Sequence, residues 1–244
     1  MVKRIFITGA SSGLGAALAR AYAQPGVTIG LAARRVERLN ALATECEAAG
    51  ARAIVLPLDV TQHHAVLGAA DAFTKQVGGV DIVIANAGTF VRVDPTESSL
   101  DELRTILDVN LLGVVATIKA FLPALIKSKG RLVLTSSVAS FAPLPGGVYS
   151  ASKVAVRFLG EAWRPDLAAK GVQLTMLYPG FVRTEMTGQG SYPFLIEADE
   201  AAQQMKAAID SGRDRLIFPW QWRLVVPLMS WFPGLVGMWR RRGH

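Results

Sequence analysis

Short, almost uninterrupted apolar runs recur along the chain at Val2–Thr8, Val27–Ala33, Ala53–Leu58, Val80–Ala85, Arg131–Thr135, Val172–Tyr178 and Arg215–Phe218. They do not alternate apolar with polar residues, which predicts strands covered on both faces rather than wetted on one. Between them, Leu14–Ala23, Arg35–Ala49, Ala65–Val77, Leu100–Lys127, Tyr149–Ala169 and Asp199–Ser211 carry apolar residues at helical spacing. Strands and helices alternating over the whole length predict an α/β fold, a doubly wound parallel sheet of about seven strands with helices on both faces. No repeat, low-complexity tract or linker intervenes, so residues 1–244 are expected to form a single domain. Two segments strain the pattern. Pro165 falls inside a helical stretch, where it removes an amide donor and is expected to kink or divide the helix near Trp163. Leu224–Trp239 has no charge and is followed by Arg240, Arg241 and Arg242. Pro227 and Pro233 interrupt it and it falls short of the roughly 20 residues of a membrane span, which leaves a pocket wall, a subunit contact or an interfacial anchor.

Composition narrows the classes. Of 244 residues, 51% are hydrophobic and 18% charged, which excludes a disordered or acidic solvating chain. The single Cys46 excludes an internal disulfide and a cysteine-rich zinc site, and three histidines (His63, His64, His244) make a histidine metal centre an unpromising reading. The stretch before the first glycine is too short for a secretory apolar region, so the cytoplasm is the expected compartment. A net charge of +7 suits phosphorylated ligands or anionic surfaces; no motif supports nucleic acid as a partner.

The first predicted strand runs into Thr8-Gly9-Ala10-Ser11-Ser12-Gly13-Leu14-Gly15 and then a helix. Glycines allow a tight turn that brings backbone N–H groups against a pyrophosphate, and the helix start adds partial positive charge. The second strand ends Ala33-Arg34-Arg35 with no carboxylate before Glu37. A carboxylate there would select NAD through the ribose hydroxyls; a guanidinium suits a 2′-phosphate instead. NADP(H) is therefore expected over NAD(H), with Arg34 the first candidate and Arg35 the second. Asp59, followed by Val60, ends the third strand where it can accept from an adenine amino group. Asn86-Ala87-Gly88 ends the fourth, where Asn86 either touches the cofactor or ties neighbouring strands together.

Tyr149 and Lys153 lie four residues apart on one helix face. The cation is expected to lower the phenol towards neutrality and make it a general acid/base. Thr135-Ser136-Ser137 closes the fifth strand at the ligand-binding edge, where a hydroxyl can hydrogen-bond a carbonyl oxygen.

Together, from about Lys3 to Met186, these motifs resemble the short-chain dehydrogenase/reductase family, whose fold is the Rossmann type. The resemblance implies a catalytic tetrad of Asn110 (in Val-Asn-Leu-Leu-Gly), Ser137, Tyr149 and Lys153, with Asn110 holding a proton-relay water through its backbone. It implies cofactor contacts from the glycine turn, Asp59, Asn86–Gly88 and Pro179-Gly180-Phe181-Val182-Arg183-Thr184, with Val182 and Thr184 meeting the nicotinamide carboxamide. It also implies a homodimer or homotetramer. Counting thirteen residues back from Tyr149 selects Ser136, whereas the Ser-Ser-Val-Ala-Ser alignment selects Ser137. We prefer Ser137, because a deletion in the Pro143–Gly147 loop is easier than a slip in a buried strand. Ser140 stands where the family has glycine. The expected activity is hydride transfer between NADP(H) and a small-molecule carbonyl or secondary alcohol, with residues 185–212 as a substrate lid whose apolar tip, Tyr192–Leu195, suggests a hydrophobic substrate. Residues 219–244 form an apolar, basic-ended extension that one reading lays on an anionic membrane surface. The competing reading is a non-catalytic NADP(H)-binding sensor or scaffold on the same fold.

Overall fold

The strands and helices, numbered in chain order, come from a computed structural model that describes residues 3–91, 93, 94, 96–142 and 147–231. They are β1 (Lys3–Thr8), α1 (Gly13–Tyr22), β2 (Val27–Ala33), α2 (Val36–Ala48), β3 (Arg52–Pro57), α3 (His63–Val77), β4 (Ile82–Ala85), α4 (Leu100–Leu107) and α5 (Gly113–Ser128). There follow β5 (Arg131–Thr135), α6 (Val148–Ala169), β6 (Gln173–Pro179), β7 (Val182–Arg183), β8 (Ile196–Glu197), α7 (Ala198–Asp210), β9 (Arg215–Phe218) and α8 (Trp222–Trp231).

Seven strands form one sheet in the order β3-β2-β1-β4-β5-β6-β9, every neighbouring pair parallel. The reason for the unbroken apolar runs is visible in β2, where all seven residues are buried. Alternate residues of one strand serve opposite faces. Ile5 and Ile7 point into a core with Leu18 of α1, Leu39 of α2 and Met205 of α7, whereas Phe6 joins Phe73 of α3 and Phe121 of α5. Because β2 and β4 flank β1, the winding reverses there, and a crevice opens at the carboxyl ends of β1 and β4.

Four expectations change. The helix read over Leu100–Lys127 is instead α4, a π-helical turn at Asp108–Leu112, and α5. Its start is fixed by a capping box in which Ser99 Oγ accepts from Glu102 N–H and the Glu102 carboxylate accepts from Ser99 N–H. The rod Leu100–Ser128 is long and apolar enough to cross a membrane by length and composition alone, yet Val114, Ile118, Phe121 and Leu125 pack into the core beneath the sheet. Second, Pro165 does not divide α6. Only Asp166–Ala169 follow it in the helix, so the amide bond it forfeits lies in the fraying end. Third, the stretch 185–212 is not all lid, since α7 buries Ala201, Ala202, Met205, Ala208 and Ile209 against α1 and the sheet. Fourth, part of the uncharged C-terminal segment is the helix α8, whose Trp222 and Val226 pack on Val138 while Leu224 and Leu228 face outward. The rest of that segment, with Arg240–Arg242, and the loop at 143–146 lie outside the described residues.

The aromatic cluster beneath β1 dictates one small residue. Phe6 meets Phe73 edge-on at 5.3 Å and Phe121 at 4.3 Å, and a Cβ at Gly30 would fall 2.8 Å from both the Phe6 and Phe73 rings. Gly30→Ala is expected to destabilise the fold by about 1–3 kcal/mol through overpacking. Thermal unfolding should therefore shift down by about 2–12 °C for a chain of this size; an unchanged midpoint would show that the rings can move aside.

Candidate active site

A cleft of ≈ 1100 Å³ runs along the carboxyl ends of the strands, from Arg34, Arg35 and Asp59 at one end to Ser137, Tyr149 and Lys153 at the other. Every residue that the sequence assigned to the site lines it except Gly15 and Asn110. Those two lie behind its wall and shape it.

The glycine turn joins β1 to α1. Gly9 and Gly13 have φ of +69° and +53°, a region that favours glycine. A Cβ at Gly9 would sit 2.8 Å from the Ala87 backbone, and one at Gly15 would sit 2.2 Å from the Gly9 carbonyl oxygen. The turn thus closes on itself and on the end of β4. Thr8 completes this contact. Its hydroxyl accepts from Asn86 N–H (3.0 Å) and Ala87 N–H (3.1 Å), and the Asn86 amide donates to the Thr8 carbonyl (3.1 Å). The Asn86 side chain is therefore the tie between strands that the sequence left as one of two roles. Ser12 begins α1 without a side-chain cap, which leaves the first amides of that helix directed at the cleft.

At the far end of the turn, Arg35 donates to Ser11 Oγ (3.2 Å) and Ser12 Oγ (2.5 Å), and its remaining nitrogen pairs with Glu185 at 2.8 Å. Arg38 pairs with the other oxygen of the same carboxylate. The two guanidiniums hold the Glu185 carboxyl down to about 2. Arg34 is exposed at the cleft, with no ion pair among the described residues. Asp59 accepts from the N–H (3.0 Å) and hydroxyl (2.8 Å) of Thr61, which fixes the turn after β3.

At the chemical end the two serines separate. Ser136 donates its hydroxyl to the Lys153 carbonyl (2.8 Å) and so ties β5 to α6. Ser137 lines the cleft beside Tyr149, caps the short 3-10 turn at Val138–Ser140 by accepting from Ala139 N–H (3.1 Å), and donates to the Pro179 carbonyl at 3.3 Å. Ser140, at the family's glycine position, donates to the Ser137 carbonyl at 2.6 Å. Asn110, fully buried in the π-helical turn, accepts from Thr89 N–H (2.7 Å) and donates to the Thr89 carbonyl and Ser152 Oγ. It pins the segment following Gly88, at which a Cβ would lie 3.4 Å from the Lys153 ammonium.

The electrostatics depart from the sequence expectation. Burial pushes the Tyr149 phenol above its ordinary value, and the neighbouring Ser137 hydroxyl offsets only part of that rise. The lowering expected from Lys153 is absent. Lys153 is itself only 3% exposed, and burial without a carboxylate partner brings it down to about 8. Its ammonium donates to the Thr135 carbonyl (3.1 Å) and lies 5.7 Å from the centre of the Tyr149 ring.

Three parts of the site go beyond the residues the sequence assigned, and only the second, a pocket-wall role for the C-terminal aromatics, was among the alternatives it left open. Phe90 packs edge-on against Tyr149 at 5.4 Å; its only trace in the chain is an apolar residue just past Asn-Ala-Gly. Trp222 of α8 lies over the loop after β6, where a Cβ at Gly180 would fall 2.2 Å from the indole nitrogen. Phe181 stacks on Tyr192 at 4.6 Å and leans on Trp222, which also meets Phe194 edge-on. The third is the Glu185 ion pair. No sequence signal joins residues 150 positions apart.

The residues fit a dinucleotide. The turn offers a cradle that any Cβ would fill, and the distal end of the same cleft carries guanidiniums. Residues 3–191 match the family described as short chain dehydrogenase. The chain is 41% identical over 225 residues to an uncharacterized oxidoreductase of Myxococcus xanthus, covering 91% of this chain and 88% of that one. It is 34% identical over 238 residues to one of Mycobacterium tuberculosis, covering 95% and 94%. Among solved structures, an alcohol dehydrogenase from Thermococcus sibiricus complexed with 5-hydroxy-NADP superimposes with a TM-score of 0.82 at 33% identity, over 88% of this chain and 95% of that one. A short chain dehydrogenase/reductase from Burkholderia phymatum in complex with NAD gives 0.87 at 27% identity, over 96% and 94%.

The buried cation at 153 opposes folding. Its folded-state value lies near 8 against 10.5 for an ordinary lysine, so the penalty is full below about pH 8 and fades as pH rises towards 10.5. Lys153→Met is expected to stabilise the protein by about 1–3 kcal/mol at pH 7 and by much less at pH 10. Thermal unfolding at the two pH values checks this; a variant less stable at pH 7 would mean that the bond to Thr135 outweighs desolvation.

Proposed function

The chain belongs to the short-chain dehydrogenase/reductase family, and from that membership we propose that it is an NADP(H)-dependent oxidoreductase acting on the carbonyl or secondary alcohol of a small hydrophobic molecule, with Tyr149 as general acid/base. The observation that carries the proposal is the convergence of Ser137, Tyr149 and a buried Lys153 at one end of a cleft whose other end is a glycine cradle. Support for the phosphorylated cofactor is the end of β2, where Arg34 and Arg35 line the cleft and the sequence has no carboxylate before Glu37. Support for a hydrophobic substrate is the apolar lining at the chemical end, with Phe90, Val138, Phe181, Met186 and Tyr192.

When bound, NADP(H) supplies or accepts the hydride. The protein's part is to hold and protonate the other partner. Ser137 and Tyr149 hydroxyls together hold the carbonyl oxygen, with Phe90 against the tyrosine ring limiting its orientation. In reduction Tyr149 gives its proton to the oxygen as negative charge develops there. A phenol raised by burial keeps its proton at neutral pH, which suits an acid. Lys153 becomes useful in the next instant, because the phenolate left behind is an anion beside a buried cation, where attraction is strong. Asn110 acts through Thr89 and Gly88 to hold this corner, and water at its backbone resupplies the proton.

Tyr149→Phe removes the transferable proton and keeps the ring. It is expected to lower kcat for NADPH-dependent carbonyl reduction by about 10²-fold or more while leaving NADPH affinity within a few-fold. Tight NADPH binding without turnover on aldehydes, ketones, quinones and steroid-like ketones, in the parent protein, would favour the sensor reading instead. Ser137→Ala should lose activity as Tyr149→Phe does, whereas Ser136→Ala should keep it and lose about 1 kcal/mol of stability. The cofactor assignment fails if the parent consumes NADH as readily as NADPH at equal concentration, or if Arg34→Gln leaves a preference for NADPH untouched.

A further inference from the structure

Glu185 sits immediately after Thr184, on the loop that closes the cleft from the side opposite the glycine turn. Its two carboxylate oxygens are taken by two arginines from the turn's side of the cleft, Arg35 at 2.8 Å and Arg38. Arg35 does not merely meet it in solvent. The same guanidinium is anchored on Ser11 and Ser12, so its position is set by the cradle and its open edge is filled by the carboxylate. Across the mouth, a Cβ at Gly13 would lie 3.2 Å from Thr184, so the two walls approach closely just where the pair bridges them. A carboxylate held in this fork occupies the site and charge that a phosphate monoester would use, because both present paired oxygens to planar N–H donors.

We propose that Glu185 is a specificity-determining residue, an internal competitor for the guanidiniums that would receive the 2′-phosphate of NADP(H). The inference rests on the NADP(H) reading above and deepens it. A nucleotide carrying the 2′-phosphate replaces the Glu185 carboxylate on Arg35 and releases the strap, whereas one without the phosphate leaves the strap closed. The affinity gained from the phosphate is thereby reduced by whatever the internal pair contributes. Both ends of that pair are near half exposed, which limits the reduction to a few-fold up to about tenfold.

The test uses two probes that differ only in the 2′-phosphate, adenosine 2′,5′-bisphosphate and AMP, titrated calorimetrically into the full chain and its E185Q variant. Neither probe depends on turnover, and Glu185 is exposed enough for the substitution to leave folding intact. The parent should bind the bisphosphate more tightly than AMP. E185Q should tighten the bisphosphate about three- to tenfold and leave AMP within about twofold. If the parent prefers the bisphosphate but E185Q fails to tighten it, or tightens both probes equally, this inference is wrong and the NADP(H) reading stands. If neither protein distinguishes the probes, the NADP(H) reading fails and takes this inference with it.

Discussion

A Cβ at Gly15 would lie 2.2 Å from the Gly9 carbonyl oxygen and 2.8 Å from the Asn86 side chain, so α1 can begin where it does only if position 15 has none. That contact decides more than a turn. It lets the helix start press against the ends of β1 and β4, where Thr8 and Asn86 lock the two strands together with three hydrogen bonds. The reversal of winding at β1 makes a crevice; this close approach makes its floor shallow and lines it with amides instead of side chains. Everything further along the cleft, from Arg34 to Tyr149, is positioned by strands whose spacing this lock fixes.

The two ends of the cleft solve opposite electrostatic problems. The nucleotide end is wet and crowded with charge, and its arginines are steadied by serine hydroxyls and a carboxylate. The chemical end is more sheltered. Lys153 pairs with no carboxylate among the described residues, and both it and Tyr149 are driven towards their neutral forms by burial. A corner that resists charge at rest is well suited to a step in which charge appears briefly on an oxygen and is shared with a nearby cation, since a low-dielectric setting strengthens that attraction. The cost falls on stability.

Much of this was legible in the chain because it is local. Runs such as Val27–Ala33 declare strands buried on both faces, and Thr8–Gly15 declares a turn between strand and helix; each depends on neighbours in sequence. The Ser136–Ser137 ambiguity was not resolvable that way, because it turns on which hydroxyl is spent on the Lys153 carbonyl of a helix distant in sequence. The lid was overdrawn to residue 212 because Ala198–Asp210 is polar on its outer face and reveals its buried alanines only when α1 is beside it. The direction of the Tyr149 shift was missed for a related reason. Spacing shows that a lysine is near, but only the packed structure shows how little water reaches either group.

Among the described residues, the loop after β6 is covered from outside by a cluster of Val138, Trp222 and Val226 with partly covered neighbours, distinct from the two large cores of the sheet. Gly180 gives its N–H to the Phe218 carbonyl and its open side to the Trp222 ring. A side chain at position 180 would therefore be felt first at the loop beside the chemical corner, and only later in the strands.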